Sequence, residues 1–424
     1  MKKRGEIYYK NVFIQIFRDH WERFRELHPE YVSDHVEENV EKMMGCGLIS
    51  NGYFEYRCLG CGEKKVVGFT CKSRFCLRCV KVYIDKWVEK MRERVFKWVS
   101  HRHVILTVPG VLWEYFRDPD LLKRLAESGV ETIKEVVVRS NKGVGVDPGV
   151  VGVIQTSGRA STWNPHLHFL VTEGGLDKEG RWHDVRYFDY ELLRKIWMYK
   201  VLKLLGEAFP DDKGVQDKIS DIYRRRSERG FIIRAKKERV RKRDIVSYLI
   251  KYVASPPIAL SRIVGYDGEE VRYWYREHPT ERRVEVRVSA FEFIRRMIQH
   301  IMPKQFRMVR HYGLYCRNKV SRVGEVLGKL FDGVRGVVQE FHGLLTKVKS
   351  SLSFRERMRE SFGKDPFVCS RCGGELELFR IWHPRYGEIY HVRDDPRYEV
   401  IEDGQEEEEK PQPSEEQQLS LWAV

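Results

Sequence analysis

Two C-x2-C pairs, Cys58-Leu-Gly-Cys61 and Cys76-Leu-Arg-Cys79, stand fourteen residues apart. Each pair supplies two thiolates from a tight turn, and two such turns close a tetrahedral metal site. The spacing predicts a zinc module on Cys58, Cys61, Cys76 and Cys79, with Cys71 or Cys46 able to replace a ligand. Four thiolates leave no open position for water, so the expected role is structural. A third pair, Cys369-Ser-Arg-Cys372, followed by Gly373-Gly374, is another knuckle half. No second half follows it, so His383 and His391 are its candidate completing ligands at a second zinc.

The nine cysteines are not expected to form disulfides. The opening, MKKRGEIYYKNVFIQIFRDHWERF, starts basic, but Asp, His, Glu and Arg interrupt what a secretory signal would need as its apolar segment. No apolar run reaches the roughly 18 residues of a membrane span. A cytoplasmic, nucleoid-associated protein is expected, with no membrane partner.

Net charge is +15, and the acidic stretch 402–418 means that the remainder is more basic still. A basic body points to a polyanion, most often nucleic acid. Charged residues at 33% would equally suit ion-pair networks of a heat-stable protein, so composition alone does not decide. Around the cysteines, Lys72, Arg74 and Arg78 lie among Phe69, Phe75 and Tyr83. That mixture suits phosphates and unstacked bases.

Residues 1–45 read as helical, with aromatic and aliphatic residues three and four apart. A basic helix then runs to about residue 99. From 101, short strands alternate with helices: HVILTVP (103–109), GVVGVIQTS (149–157) and NPHLHFLVTEGG (164–175) read as strands. The last two are close enough to pair as a hairpin, so a mixed or antiparallel α+β sheet fits better than a doubly wound parallel one. Residues beyond about 402 cannot bury a core and are expected to be disordered.

Strand alternation puts His166 and His168 on one face and Leu167 on the other. Two imidazoles on a rigid strand make half a site for a divalent cation. Gln155, polar amid the apolar residues of the neighbouring strand, is a candidate third ligand. Two nitrogens and a neutral oxygen leave positions for phosphate, which suits Mg2+ or Mn2+. Tyr248 and Tyr252 stand four apart in RDIVSYLIKYVAS, on one face of a helix, with Lys251 between them. A neighbouring cation favours the phenolate, the nucleophilic form. Attack on a phosphodiester would leave a 5′-phosphotyrosine bond and a free 3′-hydroxyl. Bond energy is conserved, and no G-x4-G-K-[ST] nucleotide loop is present.

The succession CKSRFCLRC, HVILTVP, IQTSGRASTWNPHLHFLV, YLIKYVASPPIA and FIRRMIQHIMPKQFRMVRHYGL resembles the rolling-circle HUH transposases of the insertion-sequence-ninety-one family, from about residue 40 to 320. CSRCGGELEL, near the end, is also similar. The resemblance implies a transposase zinc-binding domain followed by an HUH endonuclease domain with a central antiparallel sheet flanked by helices. The metal histidines fall on His166 and His168, the nucleophiles on Tyr248 and Tyr252, and the substrates are single-stranded DNA at transposon ends and target DNA. The expected division is 1–99 for zinc binding and DNA recognition, 100–320 for strand transfer, 321–400 for a helical extension with the knuckle-like segment, and 401–424 for the acidic tail. Two other functions share much of this pattern: an HUH rolling-circle replication initiator, and a non-catalytic zinc-ribbon protein that binds nucleic acid. His300 and His311 are expected to face DNA or the core rather than a metal.

Overall fold

The computed structural model describes residues 11–96, 99–140, 145–185, 188–236, 256–277, 280–319 and 365–394, with a few single positions between them. The chain divides into two compact units that interleave in sequence: 1–46 with 70–366, and 47–69 with 367–424.

The first unit is built on a six-stranded antiparallel sheet. Strand β3 (His101–Thr107) pairs with β5 (Trp163–Leu176) and β7 (Ile233–Lys236), β4 (Asp147–Ser157) pairs with β5 and β11 (Val309–Gly313), and β6 (Trp182–Asp184) pairs with the far end of β5. Period-two alternation gives the sheet two unlike faces. Val104, Leu106, Leu167, Phe169 and Val171 point to one side, where they are buried with residues of helices α4 (Pro119–Ser140) and α5 (Tyr190–Ala208). The other side carries Gln155, His166, His168, His103 and Thr107, as the ladder registers require.

Part of that second side is covered. Val151 and Leu170 pack with Phe96, Val99, Leu314 and Tyr315, and the Tyr315 hydroxyl lies 2.6 Å from His101 Nε2. His166 and His168 lie further along β5, beyond Leu170, and His168 is itself buried.

A second core in the same unit joins α1 (Val12–Leu27) and α2 (Asp34–Met44) to a three-stranded sheet of β8 (Ile263–Tyr266), β9 (Glu270–Arg276) and β10 (Arg283–Ser289), and to the helix Ala290–Ile298. Asn11 caps α1 through its side chain, accepting from the Ile14 amide. Phe13, Ile16, Phe17, Trp21 and Phe24 form the buried stripe expected from their spacing, but Leu27, expected to continue it, is exposed at the helix end. Some of their partners, Phe293 and Tyr273, lie more than two hundred positions away in the chain. The N-terminal helices thus share a core with residues 258–298 rather than closing one at residue 99.

The second unit is a four-stranded antiparallel sheet in the order β13 (Gly387–His391), β12 (Leu376–His383), β1 (Tyr53–Cys58), β2 (Lys64–Gly68).

Candidate metal centres and the histidine face of the sheet

Eight of the nine cysteines gather into two groups of four, each within one unit, and Cys316 stands apart from both. In the first unit, Cys46, Cys71, Cys76 and Cys79 bring their sulfurs within 4.8 Å of one another. Cys46 follows α2, and Cys79 opens α3 (Cys79–Arg94). Cys46 Sγ and Cys71 Sγ each lie 3.6 Å from Cys79 Sγ, and the Cys71 amide donates to Cys46 Sγ. The neighbouring thiols, Cys71 foremost, hold the Cys46 thiol far below its ordinary pKa. Four sulfurs at this separation fit tetrahedral zinc.

The other group is Cys58, Cys61, Cys369 and Cys372. This corrects the expected assignment: Cys58 and Cys61 do not join Cys76 and Cys79, and Cys369 and Cys372 are not completed by His383 and His391. The reason is strand pairing. Cys58 ends β1 opposite Leu376 of β12, which places the Cys369–Cys372 turn beside it. Cys46 and Cys71, read as substitutes, instead complete the first group. His383 Nδ1 accepts from the Arg385 amide, and its ring packs against Tyr386. His391 Nδ1 accepts from the Arg393 amide.

The loop that supplies Cys71 to Cys79 turns Lys72 and Arg74 to solvent and leaves Arg78 half-buried. Arg74 lies over the Tyr83 ring, 4.3 Å from its centroid.

On the sheet, Gln155 is directly opposite His166 in the β4–β5 ladder, and a bulge follows between Gln155 and Ser157. His166 Nδ1 donates to the Asn164 carbonyl at 2.7 Å, which directs the Nε2 lone pair outward. His168 Nδ1 lies 3.0 Å from His103 Nε2, with the two rings nearly parallel. His168 thus also presents Nε2. The His166 and His168 ring centroids are 5.0 Å apart. Burial lowers the pKa of both, that of His168 well below its ordinary value with help from His166 and His103. Neutral imidazoles on one face beside an amide oxygen fit a divalent cation, and hydrogen bonds to the far ring nitrogens are what usually fix such ligands.

His103 was missed in the sequence. It lies at the start of the segment read as a strand, HVILTVP, but its relation to His168 runs across the ladder, not along the chain. Tyr248, Tyr252 and Lys251 lie outside the described residues. His300 is half-buried: its ring stacks on Trp163 and its Nδ1 lies 3.0 Å from Thr156 Oγ1. His311 is half-buried on edge strand β11.

An antiparallel sheet bearing paired histidines, together with a tetrathiolate module, defines a class that the comparisons name. Residues 149–322 match the family model described as a putative transposase, and 16–108 match the transposase zinc-binding domain. Neither match extends to Cys369 or Cys372. The chain is 30% identical over 355 residues to the transposase for insertion sequence element IS801 of Pseudomonas savastanoi pv. phaseolicola, covering 80% of this chain and 82% of that one. It is 22% identical over 380 residues to the putative transposase y4qJ of Sinorhizobium fredii, covering 84% and 92%. No solved structure matches the chain. The chain belongs to the insertion-sequence-ninety-one family of transposases, with an N-terminal zinc-binding domain. Among the described residues, no helix is long and apolar enough to cross a membrane.

Proposed function

We propose that this transposase cleaves and rejoins single-stranded DNA at transposon ends through a covalent 5′-phosphotyrosine intermediate, in transposition of the rolling-circle type. The observation that carries the reading is the shared face of His166, His168 and Gln155, with both Nδ1 atoms engaged elsewhere. A Mg2+ or Mn2+ ion held by these three residues would polarise the scissile phosphate and offset the charge developing on its oxygens.

The chain's own residues do the rest. His103 and the Asn164 carbonyl fix the two imidazole rings, and burial keeps both rings neutral. One phenol, from Tyr248 or Tyr252, loses its proton and attacks phosphorus. The new O–P bond forms as the P–O3′ bond breaks, and the 3′ oxygen takes up a proton. A free phenol titrates near pH ~10, so the Lys251 ammonium supports the attack by favouring phenolate. The second tyrosine permits a second cleavage while the first link persists, as joining donor to target strands requires. Lys72, Arg74 and Arg78 in the zinc module contact the DNA, and the work is done in the cytoplasm at the nucleoid.

The test is covalent trapping. Labelled single-stranded oligonucleotides from the element's two ends are incubated with the protein and Mg2+ or Mn2+, then resolved on a denaturing gel. An adduct is expected with the wild type and not with Tyr248→Phe/Tyr252→Phe or His166→Ala. An adduct that persists in the double tyrosine variant would end the nucleophile assignment, and one that is indifferent to chelator would end the metal assignment.

A further inference from the structure

We propose that Cys58, Cys61, Cys369 and Cys372 form a second tetrathiolate zinc site, and that this zinc makes one folding unit from two stretches of chain. Cys61 and Cys369 are 308 residues apart in sequence, yet their sulfurs lie 3.8 Å apart, and Cys58 Sγ lies 3.4 Å from Cys372 Sγ. All four sulfurs fall within 4.8 Å of one another.

The two turns that carry them are built alike. In the first, the Gly62 amide donates to the Cys58 carbonyl at 2.9 Å, and the Cys58 amide donates to the Glu63 carbonyl at 2.9 Å. In the second, the Gly373 amide donates to the Cys369 carbonyl at 3.0 Å, and the Cys369 amide donates to the Gly374 carbonyl at 2.8 Å. Gly62 and Gly373 hold φ of 70° and 75°, which favours glycine after each pair. Backbone amides of Arg371 and Gly374 donate to the sulfurs of Cys369 and Cys372. Amides aimed at sulfur stabilise thiolate, the ligand form. Two like turns that converge from separate chain segments are the arrangement a tetrahedral thiophilic ion requires.

The unit's own packing argues the same way. Among its described residues only Cys58, Cys369 and Leu376 are buried apolar side chains, with Tyr56 against them. Small units with so little core are usually held by a metal or a disulfide. Here the surrounding contacts are shallow ones, such as Tyr53 stacked on Trp382 and Arg57 over Phe379. Without an ion, four converging thiols would offer only weak S–H···S contacts in place of a core.

Zinc content of the purified full chain tests this directly. Two zinc ions per chain are expected, falling to one in Cys369→Ser/Cys372→Ser. One ion in the wild type, or two in that variant, would overturn the proposal. Hydrogen exchange tests the joining of the segments. The variant should lose protection across Tyr53–Cys58 while keeping it across Trp163–Leu176, and Cys58→Ser/Cys61→Ser should expose Leu376–His383. Protection of Tyr53–Cys58 that survives loss of Cys369 and Cys372 would refute the joining. Should either variant fail to fold, the wild-type zinc count decides alone.

Discussion

His103 and His168 lie on adjacent strands with ring nitrogens 3.0 Å apart. Removing a partner that orients a metal ligand typically weakens the site ~10–100-fold. His103→Ala should therefore weaken Mn2+ binding by about that factor in a spin-resonance titration, with the fold unchanged by circular dichroism. Unaltered affinity would deny His103 a positioning role. His300 supports a pH prediction. Burial pushes its pKa down to about 4 from 6.5, so between those values the unfolded chain binds a proton that the native chain refuses. Stability is thus lost as pH falls below 6.5, levelling near 4, by at most about 3 kcal/mol at 1.36 kcal/mol per unit. His300→Gln should flatten that part of the melting-temperature profile relative to wild type. Matching slopes would show that another group is responsible. The His166 and His168 pair was legible in the sequence because strand alternation is local. His103 was not, because which residue faces which across a ladder depends on register.

At the scale of elements, the strands of the central hairpin were legible almost to their ends: 149–157 and 164–175 became Asp147–Ser157 and Trp163–Leu176. Three strands of the same sheet were not, the three-residue β6 among them. Val309–Gly313 reads VRHYG, too basic to show apolar alternation, because it occupies the sheet's edge. The short β7 on the opposite edge escaped for similar reasons. Gly313 fixes how β11 meets β4. Its φ is +58°, and a Cβ there would sit 1.8 Å from the Pro148 carbonyl oxygen. Gly313→Ala should cost about 2–3 kcal/mol, at the upper end of ordinary single substitutions. Urea unfolding reads this, and a midpoint equal to wild type would contradict the close approach.

At the scale of the whole molecule, charge was legible and core sharing was not. Helix periodicity predicts a buried stripe on α1 but cannot say that its partners are Tyr273 and Phe293. Nor could cysteine spacing say that a knuckle near residue 60 would find its mate near residue 370, since spacing carries no information on strand pairing. The basic excess of +15 bears on DNA binding. If Lys72 and Arg74 contact phosphates, replacing both with Ala should weaken single-stranded binding alike for every sequence. It should also reduce the logarithmic salt slope by roughly 1.4, at about 0.7 per lost contact. Fluorescence anisotropy across a salt series measures it, and an unchanged slope would place the DNA elsewhere.

The unit held by Cys58, Cys61, Cys369 and Cys372 also sets a schedule for biosynthesis. A ribosome adds about 5–20 residues each second, so the 308 residues from Cys61 to Cys369 occupy on the order of 15–60 s. For that interval the first pair of thiols has left the exit tunnel with no mate. A message cut short before residue 372 yields a polypeptide whose early hairpin never closes and stays open to proteases. Copies of the gene interrupted late in their reading frame should then be cleared as protein, not merely lack a tail.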